Sequence, residues 1–439
     1  MMQQVFDAFS KTPPVVDFDF TRAVADPRIT FARAGSTATR VNASGFIEAV
    51  AADTPRFDFD PLTLSCRGLL IEASAINQIS DSDFQTIASG GGIGFWYENS
   101  ANLSVTTNFA SDPANGSAAA LLSILANTSS NGVFYRTGLT GTGAHTFSVY
   151  VKPNSTDLGV SLIVSGDLST ANFVRAAYTL SGNGTAGAAA IVGTATAPVP
   201  TTIRRMPDGW YRITITGSFV SATNIYFGVY PGTRTAQTTA SQTLVWGAQF
   251  EAGLLATSLI PTASGAVTRN ADVATITGAD FSGFWQAGKG SALVRARPST
   301  VAGIRPVLQF DDATADNIIA LRGNAANPEL YVRTGGVDQA QIDAGTIAAN
   351  ISYRLAGAWA ENSCAASLNS GTPVLDGVAT IPTVTQARLG SDGTNYLNGH
   401  IEAIEYYDER IPNSGLQVVP SAAGYQSIIG SVFRDAIIS

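Results

Sequence analysis

Phe147-Ser148-Val149-Tyr150-Val151-Lys152, closed by Pro153 and Asn154, is the stretch on which the fold turns. On an extended chain successive side chains point to opposite faces, so Phe147, Val149 and Val151 share one face while Ser148, Tyr150 and Lys152 share the other. This is the pattern of a sheet strand with one face buried and one face wet. The pattern recurs downstream. Tyr211, Ile213 and Ile215 alternate with Arg212, Thr214 and Thr216, and Ile225, Phe227 and Val229 leave Tyr226 and Tyr230 on the opposite face, about 13 Å apart at the ordinary strand rise.

Upstream, Phe18 with Phe20 and Phe57 with Phe59 alternate with Asp17, Asp19, Asp58 and Asp60, which predicts further half-buried strands. The Asp-Pro pairs at 26–27 and 60–61 mark turns. Downstream, Leu293, Arg295 and Arg297 alternate with Val294 and Ala296, and the stretches 307–310 and 351–355 supply more strands. Composition agrees. Charged residues make up 13% of the 439, about half of the roughly 25% usual for soluble domains, while 43 glycines serve turns better than long solvated helices. The chain is therefore expected to be all-β, a multi-domain β-sandwich of jelly-roll and concanavalin-like type with short N-terminal and C-terminal extensions. The expected divisions are residues 1–83, a strand-rich attachment segment; 84–270, a jelly roll; 271–412, a second sandwich; and 413–439, an extension that forms either a helix near 426–437 or a strand-like arm.

Net charge is −8, and only Lys11, Lys152 and Lys289 carry ammonium groups, so no basic stripe is available to a polynucleotide and nucleic acid is not an expected partner. No signal peptide or membrane span is expected either. Cys66 and Cys364 lack a CxxC partner or a histidine cluster and read as two buried thiols.

Several strings resemble one family. Thr54-Pro-Arg-Phe-Asp-Phe-Asp-Pro61 and Cys66-Arg-Gly-Leu-Leu-Ile-Glu72 are similar to the N-terminal signature of tail-fibre and head-spike proteins of tailed phages and phage-like particles. Asp208-Gly-Trp-Tyr-Arg212, Val245-Trp-Gly-Ala-Gln-Phe-Glu251, Thr257-Ser-Leu-Ile-Pro-Thr262 and Val267-Thr-Arg-Asn-Ala-Asp272 resemble the carbohydrate-binding-module-like jelly roll of such proteins. Arg388-Leu-Gly-Ser-Asp392, Leu397-Asn-Gly-His-Ile401 and Glu405-Tyr-Tyr407 resemble the closing strands of laminin-G or concanavalin-like sandwiches. The resemblance implies a homotrimeric adhesion protein. It would be assembled in the host cytoplasm, displayed on the virion surface among other virion structural proteins, and bind host cell-surface glycan.

The chemistry-bearing residues favour binding over catalysis. Gly182, Gly184 and Gly187 spell GxGxxG, but Pro198 and Pro200 follow and no helix can start there to hold a phosphate. Gly283, Gly288 and Lys289 approximate a P-loop with Gly290 in place of the magnesium-binding hydroxyl. His145 and His400 have no GxSxG elbow to serve and read as surface or edge residues. Asp58 with Asp60, Asp311 with Asp312, and Glu402 with Glu405 are the carboxylate pairs a glycosidase would need, though acidic neighbours on wet strand faces are ordinary. No catalytic residue and no resident cofactor are expected. Sugars stack on aromatic faces, so the candidate glycan-binding residues are Tyr226 and Tyr230, Trp96 and Tyr97 beside a glycine-rich loop, and the polar rim loop Asp392, Asn395 and Tyr396, where calcium is a conceivable ligand. Trp210 and Trp246 are expected to pack. The rivals are a purely structural spike or decoration protein and a particle-borne polysaccharide depolymerase.

Overall fold

The computed structural model describes residues 13–88, 91–127, 129–167 and 171–417. The first twelve residues and the proposed helix at 426–437 lie outside this range. Strands dominate and form two sandwiches.

The first sandwich is assembled from both ends of the chain. One of its sheets runs Val374–Asp376, Cys364–Leu368, Tyr353–Ala360, Lys289–Pro298, Gly399–Tyr407, Cys66–Ile71, Phe57–Phe59, with Val16–Asp19 also paired to Gly399–Tyr407. The facing sheet runs Thr30–Ala32, Val273–Thr277, Gln386–Leu389, Ile304–Asp311, Ile318–Asn324, Asn327–Thr334, Val337–Asp343. The expected divisions at 83/84 and 270/271 therefore do not follow the sheets. Strands from the first 71 residues are members of the same sheets as strands from 273 to 407. The alternation at Val16 and Phe18 explains this, because those side chains need a core and the strand Gly399–Tyr407 offers the edge that completes one. Phe310, Trp359 and Tyr406 meet in that core with Trp285 packed against them, ring centroids 4.6 to 6.3 Å apart. Gly68 lets the early strand come close: its φ is +103°, and a Cβ there would lie 2.2 Å from the Ile401 carbonyl oxygen.

The second sandwich is inserted into the first. Ala75–Asn77 pairs antiparallel with Val267–Arg269, so the chain leaves and returns through a two-stranded neck. Between them one sheet runs Leu103–Ala110, Ala119–Ile124, Gln242–Ala252, Gly141–Pro153, Tyr211–Ala222, Thr202–Arg205. The other runs Thr185–Ala186, Phe173–Thr179, Gly159–Ser165, Tyr226–Pro231, Val133–Arg136, Trp96–Glu98, Ile87–Ala88, with Ala190–Val192 also on Phe173–Thr179. Phe147, Val149, Val151, Ile213, Ile215, Phe227 and Val229 all enter the core between these sheets, as the alternation predicts.

The face expected to be wet on the first of these sheets is covered. A hairpin from the first sandwich, Ala38–Val41 with Ile47–Val50, places Val41 and Ile47 in a cluster with Tyr150, Met206, Trp210, Leu244 and Trp246. Trp210 and Trp246 pack as expected. Tyr150 and Ser148 are buried rather than wet, Tyr150 because the hairpin supplies the apolar partner that its strand cannot show in isolation, and Ser148 beneath Arg212, which donates to its Oγ at 3.0 Å.

A buried ion network locks this junction. Arg56 reaches Glu72 at 2.9 Å and also pairs with Asp272; Arg33 meets Asp272 at 3.0 Å, and Arg269 lies 3.5 Å from Glu72. Ser258, on the returning chain, donates its amide and hydroxyl to Glu72 at 2.8 and 2.6 Å. Burial alone would raise the Glu72 carboxyl, yet the Arg269 and Arg56 charges hold it far below the usual carboxylate range. Each of these residues except Arg33 belongs to a string quoted above.

Candidate functional site

With one outer face of the inserted sandwich capped by the hairpin, its other outer face is the place to look for function. Side chains of odd and even parity on the sheet that contains Tyr226–Pro231 part company: Phe227 and Val229 go inward, and Tyr226, Gly228 and Tyr230 go outward. Register then aligns the neighbours. Gly228 stands opposite Phe134 on one side and Ile163 on the other, Phe134 opposite Tyr97, and Ile163 opposite Arg175. Arg136 stands opposite Tyr226, which in turn faces Ser165 and then Phe173.

The result is a compact aromatic cluster. Phe134 is its hub, edge-on to Tyr230 at 5.2 Å and Tyr226 at 6.0 Å and tilted against Tyr97 at 5.9 Å between centroids. Gly228 makes the hub possible, since a Cβ at that position would come within 2.5 Å of the Phe134 ring. Three guanidinium groups lie on the rings: Arg136 over Tyr97 at 5.1 Å, Arg175 over Phe173 at 5.4 Å, and Arg234 over Tyr230 at 5.7 Å. A cation at this distance from a ring is attracted by the ring's face, and Arg136 Nε also donates to the Tyr97 hydroxyl at 3.4 Å.

Tyr226 and Tyr230 are thus on the expected face and next to Tyr97, but they are not open to a sugar as expected. They are only 5% and 4% exposed, because they pack with Phe134, Ile163 and Phe173, and Arg234 lies over Tyr230. Burial pushes the Tyr226 hydroxyl up to about 12, against the effect of Ser165, and raises Tyr230 as well, with the Arg234 charge opposing. The groups that reach solvent are Tyr97 and the three arginines, all half-buried.

Trp96 is buried and not open to a sugar as expected. Its strand pairs Trp96 with Tyr135 and Tyr97 with Phe134, so the indole goes into the core, stacked on Phe84 at 4.2 Å and donating Nε1–H to the Asp81 carbonyl at 2.6 Å. Adjacent residues on a strand cannot share a face, and only one of the pair could be exposed.

The loop Asp392, Asn395 and Tyr396 lies on the first sandwich and does not join the cluster. Asp392 Oδ1 accepts the amides of Thr394 and Asn395 at 2.8 and 2.6 Å, and Oδ2 accepts from Asn395 Nδ2 at 2.8 Å. Tyr396 packs against the core. One carboxylate already occupied by its own turn does not fit calcium, which takes six to eight oxygens. Among the described residues no three His, Cys, Asp or Glu side chains converge as a metal site.

The carboxylate pairs are likewise engaged. Asp58 is buried, not wet: His400 Nε2 lies 2.9 Å from Oδ2, and Oδ1 accepts the Val41 amide at 2.7 Å. His400 is correspondingly buried rather than at the surface. Asp60 pairs with Arg67, Asp311 holds Arg388 and Gln309 at 2.9 and 2.8 Å, and Glu402 meets Arg295 at 2.9 Å. Asp312 is tied to Thr314 and Asn317. Glu405 accepts from the Tyr407 hydroxyl at 2.7 Å. His145 stacks on Phe250 at 5.4 Å.

The arginines were not foreseen from sequence, although a signal exists. Phe134-Tyr135-Arg136 and Phe173-Val174-Arg175 both read aromatic, inward residue, arginine, a spacing that puts ring and guanidinium on one strand face.

No protein-family model matches the chain, and no curated protein sequence matches it. Among solved structures the chain is similar to the NanB sialidase from Streptococcus pneumoniae, with 10% identity over 34% of this chain and 26% of that one and a TM-score of 0.29. It is similar to the CBM40 of Ruminococcus gnavus IT-sialidase, at 16% identity over 30% of this chain and 82% of that module with a TM-score of 0.26. A third is domain 4 of AbnA, an extracellular arabinanase from Geobacillus stearothermophilus, in complex with arabinotriose, at 13% identity over 34% of this chain and 71% of that domain with a TM-score of 0.27. The match spans about a quarter of the sialidase, and the likeness is partial and distant in every case.

Proposed function

We propose that this protein is a non-catalytic adhesion protein that binds glycan through the open outer face of its inserted sandwich. The observation that carries this is the outer face on which Tyr97 and the half-buried Arg136, Arg175 and Arg234 reach solvent above a buried base of Phe134, Tyr226 and Tyr230, while the opposite face of the same sandwich is capped. The Tyr97 ring presents apolar surface to sugar C–H groups, and the guanidinium groups donate to hydroxyls. From Arg175 to Tyr97 the face crosses four strand spacings, about 19 Å, which suits an oligosaccharide rather than a single ring. Catalysis is disfavoured because the carboxylate pairs a glycosidase would use are engaged with His400, Arg67, Arg388, Arg295 and Tyr407.

The resemblance of the signature strings supports a wider setting: a homotrimeric fibre or spike subunit on a phage-like particle, with host cell-surface glycan as its target. The test is a glycan array probed with the whole protein and with Tyr97→Ala. Retention by the parent on a defined set of glycans, lost in a variant with the parent's melting temperature, supports the proposal. An array without hits favours a purely structural spike, and sugar release from a retained glycan would identify a depolymerase.

A further inference from the structure

Beyond the aromatic cluster the same outer face has a corner that is open. Gly91-Gly92-Ile93-Gly94-Phe95 leads into the strand Trp96–Glu98 and holds two large apolar side chains in solvent, Ile93 at 59% and Phe95 at 50% exposure. The loop is tied down. Gly94 donates its amide to the Arg136 carbonyl at 2.8 Å, the Ser80 hydroxyl donates to the Gly94 carbonyl at 2.7 Å, and Ile93 forms a bridge with Arg136. Bridge partners direct their side chains to one face, so Ile93 extends the row Arg136, Tyr226, Ser165, Phe173 by one place. Phe95 precedes the inward Trp96 and turns outward with Tyr97.

Glycines set the spacing of this corner. A Cβ at Gly91 would lie 3.3 Å from the Tyr97 ring and 3.3 Å from Arg136 Nη2, one at Gly92 would lie 3.7 Å from the Phe95 ring, and one at Gly138 would lie 3.0 Å from Ile93 Cγ2. Gly91 and Gly92 thus lie against one ring each and put no side chain between Tyr97 and Phe95. Exposed apolar side chains scattered singly are ordinary, but here two stand one residue apart on a fixed loop, beside a half-buried tyrosine and arginine. Each offers on the order of 100 Å², well short of the roughly 800 Å² that each partner buries in a stable protein interface. The corner therefore suits a small apolar group better than a second chain. Phe95 has a ring face for sugar C–H groups, whereas Ile93 has none and is matched by an aliphatic carbon.

We infer that this corner reads a methyl group on the bound sugar, either the terminal methyl of a 6-deoxy sugar or that of an acetamido group, seated against Ile93 and Phe95 while the ring that bears it lies toward Tyr97 and Arg136. This rests on the glycan-binding reading above and narrows it. A methyl group buries apolar surface against both side chains, and a hydroxyl in its place would lose water there without gaining a hydrogen-bond partner from either. A loop held by its own hydrogen bonds presents the two side chains without an ordering cost on binding.

The test uses the whole protein on an array of unsubstituted, 6-deoxy and N-acetylated oligosaccharides, followed by titration of each retained glycan. A 6-deoxy hit is compared with its 6-hydroxy counterpart, and an N-acetylated hit with its N-formyl form, which lacks only the methyl. The expected result is at least about tenfold weaker binding once the methyl is gone. Ile93→Ser/Phe95→Ser, with both sites exposed, should keep the parent's melting temperature and bind the two forms alike. Which comparison shows the loss tells which sugar class is read. Equal binding of both forms by the parent overturns the methyl assignment and leaves glycan binding standing. So does a double variant that keeps the parent's preference, or one that changes only the oligomeric state in solution, which would give the corner to a second copy of the chain. An array with no hits overturns both readings.

Discussion

Arg56 sits fully buried between Glu72 and Asp272, the latter 216 residues further along the chain. Removing one member of such a network strands the others without solvent or counter-charge. Arg56→Met should therefore cost about 3–5 kcal/mol in denaturant unfolding, and Asp272→Asn a comparable amount. Glu405 tests the opposite case. Burial, with Tyr407 opposing and Asp17 adding, pushes its carboxyl up to about 7 from 4.5. The folded protein then holds this proton at pH values where the unfolded chain has released it, so stability is greatest below about 4.5 and falls as pH rises to about 7, by at most about 3 kcal/mol. Glu405→Gln should flatten that dependence and raise the melting temperature at neutral pH, read as melting temperature against pH for both proteins. At this scale the sequence is informative about direction and poor about burial. Asp58 and Phe57 do lie on opposite faces, but nothing near Asp58 in sequence announces His400, which reaches it from 342 residues away.

The sheet that bears the candidate site depends on a missing side chain. At Gly228 a Cβ would lie 2.5 Å from the Phe134 ring and 2.7 Å from the Val133 carbonyl, so backbone as well as ring must shift to admit one. Gly228→Ala should lower stability by about 1–3 kcal/mol and weaken glycan binding more than a distant substitution of equal stability cost, measured by melting and by titration of an array hit. Strands were legible because alternation is a local property: Tyr226 and Tyr230 could be put on one face and Phe227 and Val229 on the other from six residues alone. Which strands pair is not local. Tyr97 meets Tyr226 only through Phe134, on a strand between them, and three arginines on separate segments share the face only once the register is known. The burial of the tyrosines is hidden for the same reason, since Phe134 and Ile163, which pack against them, stand on neighbouring strands.

Taken as one molecule, the chain is a sandwich interrupted by a sandwich. A piece cut at 271–412 lacks Val16–Asp19, Phe57–Phe59 and Cys66–Ile71, strands of the sheet that should close its core, and is expected to fail to fold. A chain joining 13–77 to 267–417 through a short flexible linker retains every strand of that sandwich and should fold cooperatively. Circular dichroism and thermal melting of the two pieces separate these outcomes. The isolated insertion, 79–262, keeps its own core but uncovers Trp210, Trp246 and Tyr150, and should bind a hydrophobic dye that the whole protein does not. The neck has a mechanical consequence. Ala75–Asn77 and Val267–Arg269 lie side by side, so a tug on the inserted unit enters its host through two adjacent threads at once, and the tension is divided between Glu72 on one thread and Arg269 with Asp272 on the other, all clasped in the same buried knot.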